Sequence, residues 1–406
     1  MQRSALRRGL GNAILALISL IVALVVIEAG LRIYFYGSLD RPDYSQSFHE
    51  PHPTRGWSLR PNMTARQQEL DFNVEISINS KGIRGPEIPY ERTPGVFRIM
   101  FVSDSAMFGS GVPYENAVPA LLTRLLEPAR VEIVNLSVAA YSTVQEYVLF
   151  MEEGRKYRPD LVLLGFSPGN DLQTNYEPLQ RLFQKSQRRP FARLDESGAL
   201  VIDYRFAEAA VQRAAEKGED SALKRFVTDL VLFRVVRAAV HKFTGDKRVD
   251  PNIFLGPAYM KDFVEAHSPG GLTRADYERL WAESWRVTEA LIREIQAESL
   301  AMGARFGVFV STSKLQADPE FQARVAKAFP QVELDVGRID REMEQLANRI
   351  GAPFIPVLPA MLAAARDAER PLFFGFEDEH WTEAGHAVVA QALADGIKAH
   401  GLVPID

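Results

Sequence analysis

Arg3, Arg7 and Arg8 stand before an apolar stretch that carries no charge from Ala13 to Ile27 and continues through Ala29, Leu31 and Ile33 to Tyr34-Phe35-Tyr36. A segment of that length escapes water in one of two ways: burial inside a protein core, or insertion into the ~30 Å hydrocarbon layer of a bilayer. Core helices seldom carry three arginines at their head. A cleaved signal peptide would show a small-x-small site directly after the apolar run, and this chain shows none. Residues 1–38 therefore read as a membrane anchor with lipid as its partner. Glu28 and Arg32 are four apart on one helical face and can pair near the outer interface, where the tyrosines also anchor. Positive-inside bias then puts the N-terminus in the cytoplasm and everything after residue 40 on the periplasmic side of an inner membrane.

The 406 residues are 47% hydrophobic and 24% charged, enough for one large domain with an accessory part. A net charge of -5 without a clustered basic surface speaks against a nucleic-acid partner. The absence of cysteine excludes disulfides, thiolate metal sites and a cysteine nucleophile. From Leu39 to Pro94 the chain is proline-rich and polar, with one alternating run, Phe72 to Ile78, that suits a half-exposed strand. Glycine turns follow in Asn79-Ser80-Lys81-Gly82-Ile83-Arg84-Gly85. Residues 39–95 read as a lead-in layer.

Strands and helices alternate from Val96: strand Val96 to Val102, helix near Asn116 to Leu126, strand Val131 to Leu136, helix Thr143 to Tyr157, strand Leu161 to Phe166. The alternation resumes with a helix capped at Thr273, strand Phe306 to Val310, a helix near Asp340 to Arg349, strand Pro353 to Val357 and a helix near Glu383 to Lys398. This order predicts an α/β fold with a doubly wound parallel sheet, carried by residues 96–171 and 272–406. Between the halves, residues 172–271 form an insertion. It holds a hairpin, Phe191 to Leu194 and Ala199 to Ile202 around Asp195-Glu196-Ser197-Gly198, and a helix from about Ser221 to Phe243. That helix has an apolar face and a cationic excess, so it either docks on the core or lies on an anionic membrane surface.

In open α/β sheets, chemistry collects at the carboxyl ends of the strands. The first strand ends in Ser103-Asp104-Ser105, the second in Asn135 to Ser142, the third in Gly169-Asn170-Asp171. Near the C-terminus comes Phe376-Glu377-Asp378-Glu379-His380-Trp381. A serine, an asparagine and an acid-x-histidine group on loops at one edge are the parts of an acyl-transfer site. Serine needs a base to take its proton, the base needs an acceptor to hold its tautomer, and asparagine can donate to an oxyanion. His386, in the first turn of the last helix, reads as structural. No His-x-x-x-His or comparable carboxylate cluster indicates a metal site. Gly109-Ser110-Gly111 lacks the third glycine of a dinucleotide loop, so no cofactor is expected.

On Asn79 to Gly85, Arg98-Ile99, Ser103-Asp104-Ser105, Ala140, Gly169-Asn170-Asp171 and Asp378-Glu379-His380, the chain resembles the SGNH/GDSL hydrolase family, in its membrane-anchored bacterial branch. The resemblance makes Ser105 the nucleophile, His380 the base and Asp378 the acid, with Glu377 as the other position the family uses. It gives the oxyanion to the N–H groups of Ser105 and Ala140 together with Asn170. Two positions depart from the family: Ser103 and Ala140 stand where it has glycine. The oxyanion hole survives unless those positions need φ > 0, where a Cβ is costly. The expected activity is a serine esterase acting on small acyl esters, acetyl above all, of polysaccharide. The alternatives are O-acetyl transfer to an exported polysaccharide beside a membrane-bound O-acyltransferase, and a catalytically inactive carbohydrate-binding protein.

Overall fold

The computed structural model describes residues 2–36, 39, 48–168, 171–183, 187–216, 226–227, 230–243, 273–328, 330, 333–367, 369–375 and 379–404. Asn170, Glu377 and Asp378 lie outside the described residues, as do residues 221–225, 228 and 229 of the predicted Ser221–Phe243 helix.

In helix α1 (Gln2–Tyr36) no residue from Gly11 to Phe35 is buried, and the apolar side chains from Ile14 to Ile27 are exposed. It is long and apolar enough to cross a membrane. Two small antiparallel pairs follow, β1 (His49–His52) with β2 (Gly56–Leu59) and β3 (Met63–Gln68) with β4 (Asn73–Ile78). The sequence showed only β4, because four-residue strands such as His49-Glu50-Pro51-His52 carry no period of two to read.

The central sheet consists of β5 (Phe97–Ser103), β6 (Val131–Ser137), β7 (Leu161–Phe166), β10 (Arg305–Val310) and β11 (Phe354–Ile355), all parallel, in the order β6-β5-β7-β10-β11. That is the doubly wound order with the switch point beside β5. The predicted strands recur to within a residue or two except the last, which keeps only Phe354 and Ile355. Continuous apolar runs are buried because helices cover both faces. Met100, Val102, Val134, Leu136, Val162, Leu164 and Val308 face one core. Ile99, Phe101, Ile133, Leu161, Leu163 and Phe309 face the other.

The first core is roofed by α4 (Thr143–Glu152), α9 (Arg274–Ala301) and α12 (Arg338–Ile350), the second by α3 (Val118–Leu125), α13 (Leu358–Asp367) and α14 (Glu383–Ala399). Helix α9 starts where the Thr273 hydroxyl accepts from Asp276 N at 3.2 Å. Within the insertion, β8 (Phe191–Leu194) and β9 (Leu200–Asp203) pair antiparallel, and Asp195 closes their turn by accepting from Ser197 N (2.9 Å) and Ala199 N (3.0 Å). Helix α8 (Val231–Phe243) is the described end of the long predicted helix.

Candidate active site

Ser103 is the last residue of β5 and pairs with Ser137, the last of β6. Past that edge a four-residue helix, α2 (Ser105–Phe108), begins at once, capped by Asp104, whose Oδ1 accepts from Ala106 N at 3.1 Å. Asp104 thus braces the turn. The Ser105 hydroxyl lies 3.5 Å from Asp104 Oδ2, at the limit of a hydrogen bond, and the residue is 8% exposed.

The chain leaves α2 through Gly109, in the left-handed region at φ 83°, where a Cβ would stand 2.8 Å from Ala117 Cβ and 3.0 Å from Arg84 Nη1. That close approach belongs to a clamp the sequence did not reveal. The fully buried Arg84 guanidinium donates to Phe108 O (2.8 Å), Gly109 O (2.5 Å) and Val112 O (2.7 Å). Burial lowers its pKa to about 10. Asn79 sets Arg84 in place by accepting from Lys81 N (2.9 Å) and Ile83 N (3.0 Å), so the polar block before β5 is a bracket for the serine turn. A buried arginine among small turn residues, some twenty positions before the strand end, was the only signal for it.

Both departures from glycine have a structural account. Ser103 is extended, and its hydroxyl donates to Gly165 O at 2.8 Å. On the neighbouring strand, any Cβ at Gly165 would lie 2.6 Å from Ser103 Oγ, so a glycine there makes room for the larger residue. Ala140 takes φ 62°, the conformation a glycine would adopt freely, at a cost of about 1–2 kcal/mol. Position 140 thus does need φ > 0, the costly case named above, and the alanine holds that conformation under strain. Ala140→Gly should keep activity and stabilise the fold by up to about 1 kcal/mol, the relieved strain being partly offset by the freer unfolded chain. A thermal melt checks this, and a lower melting temperature would mean the methyl group packs favourably in the turn.

Neither Ser105 N–H nor Ala140 N–H donates a hydrogen bond to a described residue. They sit on adjacent turns, since Val138 N donates to Ser103 O at 3.3 Å. The third turn is tied in by Asp171, which opens α5 (Asp171–Asn175): its carboxylate accepts from Ser167 N (2.6 Å) and from Thr143 N (2.9 Å) at the head of α4. Asp171 therefore ties the end of β7 to the head of α4, just after the Ala140 turn.

Behind these turns lies a buried acidic group. Glu146 on α4 is fully buried, and neither of its carboxyl oxygens has a hydrogen-bond partner. Burial, followed by the charges of Asp171 and Asp104, pushes its pKa well above the ordinary range; burial and Asp104 likewise raise Asp171. Glu146 thus keeps its proton to higher pH in the folded chain than in the unfolded chain, where it ionises above about pH 4.3. Over that interval the folded state binds the extra proton, so stability falls as pH rises toward the folded-state pKa. Glu146→Gln imitates the neutral carboxyl and should flatten that fall. Its melting temperature relative to the parent should be higher at pH 8 than at pH 5, and an equal offset at both would contradict the protonated assignment.

The histidine segment folds back to the same edge. Phe373 bridges to Trp381, Phe374 N donates to His380 O at 3.0 Å, and Trp381 Nε1 donates to Thr312 O at 2.8 Å beyond the end of β10. The Phe374 ring packs against Phe72 at a tilt of 49°, with ring centres 5.0 Å apart, beside Gly111. His380 is half-buried at this edge. His386 is buried, with Nδ1 3.4 Å from Val118 N, and burial lowers its pKa to about 3, so it is a neutral packing residue.

A cleft of about 1160 Å³ opens against the Ala139-Ala140 turn, lined by Trp57, Arg188, Arg189 and Arg213. Trp57 Nε1 donates to Ala139 O at 3.2 Å, and Arg189 Nη1 donates to Ala140 O at 3.1 Å with its guanidinium 5.1 Å from the Trp57 ring centre.

No family model and no curated protein matches the chain. Among solved structures, it is similar to the acetyl xylan esterase AlAXEase at 11% identity, over 74% of this chain and 100% of that one, with a TM-score of 0.35. An alpha/beta hydrolase enzyme from the metagenome of Lake Arreo, Spain, is 12% identical over 78% of this chain and 99% of its own, with a TM-score of 0.35. An acetylxylan esterase from Geobacillus stearothermophilus is 11% identical over 74% and 94%, again with a TM-score of 0.35. These scores are too low to speak to the chemistry of this chain.

Proposed function

We propose that the chain is a membrane-tethered serine esterase of SGNH type with its α/β domain outside the cytoplasm. Ser105 attacks the acyl carbon, and His380 takes the serine proton and later gives it to the leaving alcohol. Asp378, or Glu377 one residue before it, orients the imidazole. The oxyanion is held by the N–H groups of Ser105 and Ala140 with Asn170. One observation carries the reading: two backbone donors without a partner among the described residues sit on adjacent turns at the carboxyl edge of the sheet, one of them in an alanine kept in a strained left-handed conformation. Such strain persists where the surrounding structure over-determines it, as active sites do.

A small acyl ester, acetyl above all, on a polysaccharide is the substrate class this reading favours. The cleft against the Ala140 turn supports it, because the Trp57 ring gives a sugar a flat apolar face and the arginines give hydroxyl or carboxylate groups donors. The accommodation of Ser103 and Ala140 weighs against an inactive binding protein. The test is acetate release from a nitrophenyl ester and from an O-acetylated polysaccharide, with and without a saccharide acceptor. Acetate release to water is expected, with Asn170→Ala lowering kcat by about 100- to 1,000-fold and KM little changed. Acetyl transfer to the saccharide without release to water would make the chain a transferase, a partner for a membrane-bound O-acyltransferase. No turnover by the folded chain would overturn the enzyme reading.

A further inference from the structure

Helix α8 begins at the far end of α1. The Glu28 carboxylate of α1 accepts from Val231 N (3.0 Å) and Leu232 N (2.9 Å), and pairs with Arg32 at 2.8 Å, so a side chain of the apolar helix caps α8. Leu31 and Phe35 pack with Val231, Val235 and Leu70, and Arg234 pairs with Glu69. At about 1.5 Å per residue, Glu28 stands roughly 26 Å along α1 from Gly11, close to the far boundary of a ~30 Å hydrocarbon layer.

The docked face of α8 is Val231, Arg234 and Val235. At about 100° per residue, Phe233, Val236 and Val240 lie on the opposite face. They are 40%, 50% and 52% exposed, and Phe226, seven residues before Phe233, is 54% exposed. Docking explains one side of the helix, while Phe233 and Val236 on the other stay exposed to solvent. From Ser221 to Phe243 the sequence also carries Lys224, Arg225, Arg234, Arg237 and Lys242 against one acid, Asp229. An apolar stripe with phenylalanines in a cationic segment, starting level with a bilayer boundary, has the composition of a helix that lies in a membrane interface and meets anionic headgroups.

We propose that α8 is an in-plane interface helix, with Phe233, Val236 and Val240 turned into the headgroup and acyl boundary of the bilayer that α1 crosses. It fixes the height and tilt of the domain over the membrane. The proposal rests on the bilayer reading of α1 and is independent of the chemistry at Ser105.

The chain has no cysteine. Single variants Phe233→Cys and Val236→Cys can therefore carry an environment-sensitive fluorophore in the full chain, reconstituted into phosphatidylethanolamine and phosphatidylglycerol vesicles with or without nitroxide-labelled lipid. Leu20→Cys in α1 and Leu300→Cys, at a residue 57% exposed near the end of α9, serve as references. The dye at 233 and 236 should shift to shorter wavelength and be quenched by the nitroxide lipid as at Leu20, while Leu300 stays unquenched. Quenching at Leu20 with 233 and 236 behaving like Leu300 would overturn the interface helix while the anchor stands. Protection from aqueous quencher without lipid quenching would place a second copy of the chain on that face and overturn it as well. An unquenched Leu20 would remove the bilayer reading of α1 and this proposal with it.

Discussion

Ser105→Ala should lower kcat for a short-chain nitrophenyl ester by roughly a thousandfold or more, the scale on which removing a serine nucleophile acts, while the melting temperature barely moves. The hydroxyl's hydrogen bond to Asp104 Oδ2 is 3.5 Å long, too long to be worth much to the fold. Ser103→Ala should behave in the opposite way. Its hydroxyl is buried and bonded to Gly165 O at 2.8 Å, so its loss costs about 1 kcal/mol of stability and leaves most of the activity. Steady-state kinetics and thermal melts of both variants decide the matter. A dead Ser103→Ala beside an active Ser105→Ala would shift the nucleophile by two residues and discard the role given to α2.

Arg84→Ala should be the most destabilising single change near the site, at about 3–5 kcal/mol, because it removes the guanidinium from three buried carbonyls, of which only Gly109 O keeps a backbone donor among the described residues, Val112 N at 3.3 Å, and it opens a cavity the length of the side chain. The same carbonyls shape the exit from the serine turn, where Gly109 N and Ser110 N bond back to Ser105 O at 3.1 and 3.2 Å. Activity should therefore fall along with stability. Arg84→Lys keeps the charge but cannot span three acceptors with one ammonium, so it should lie between the parent and Arg84→Ala. Denaturant unfolding measures the first effect and ester hydrolysis the second. A loss below about 1 kcal/mol for Arg84→Ala would mean water replaces the guanidinium and the bracket is dispensable.

Much of the fold was legible because its signals are local. Leu161 to Phe166 reads as a strand by its unbroken apolar run, Thr273 and Thr382 announce helices by capping, and Asp195 to Gly198 announces a turn. The serine turn was legible for the same reason, since Ser103-Asp104-Ser105 interrupts a buried strand. What could not be read depends on partners far along the chain. Arg84 finds its acceptors at Phe108, Gly109 and Val112 only after β5 is placed, and the room for Ser103 is made by Gly165 on another strand. Glu146 sits in a helix where a lone acid ordinarily faces water, and only the packing of α4 over Asp104 and Asp171 shows that it is buried. The long helix from Ser221 to Phe243 looked continuous, yet α8 takes its start at Val231 from Glu28, some two hundred residues earlier. Of the predicted site residues, Ser105, Ala140 and His380 are brought to one edge of the sheet, while Asn170, Glu377 and Asp378 lie outside the described residues.

Labelling of the full chain with a fluorophosphonate probe, followed by peptide mapping of the adduct, tests the central claim most directly, because the probe reacts only where a serine is activated by a base and faces an oxyanion site. The predicted result is a single adduct on Ser105, absent from Ser105→Ala and strongly reduced in His380→Ala. A folded parent chain that takes no label, or that takes it on Ser103 or on a serine away from this edge, would contradict the account.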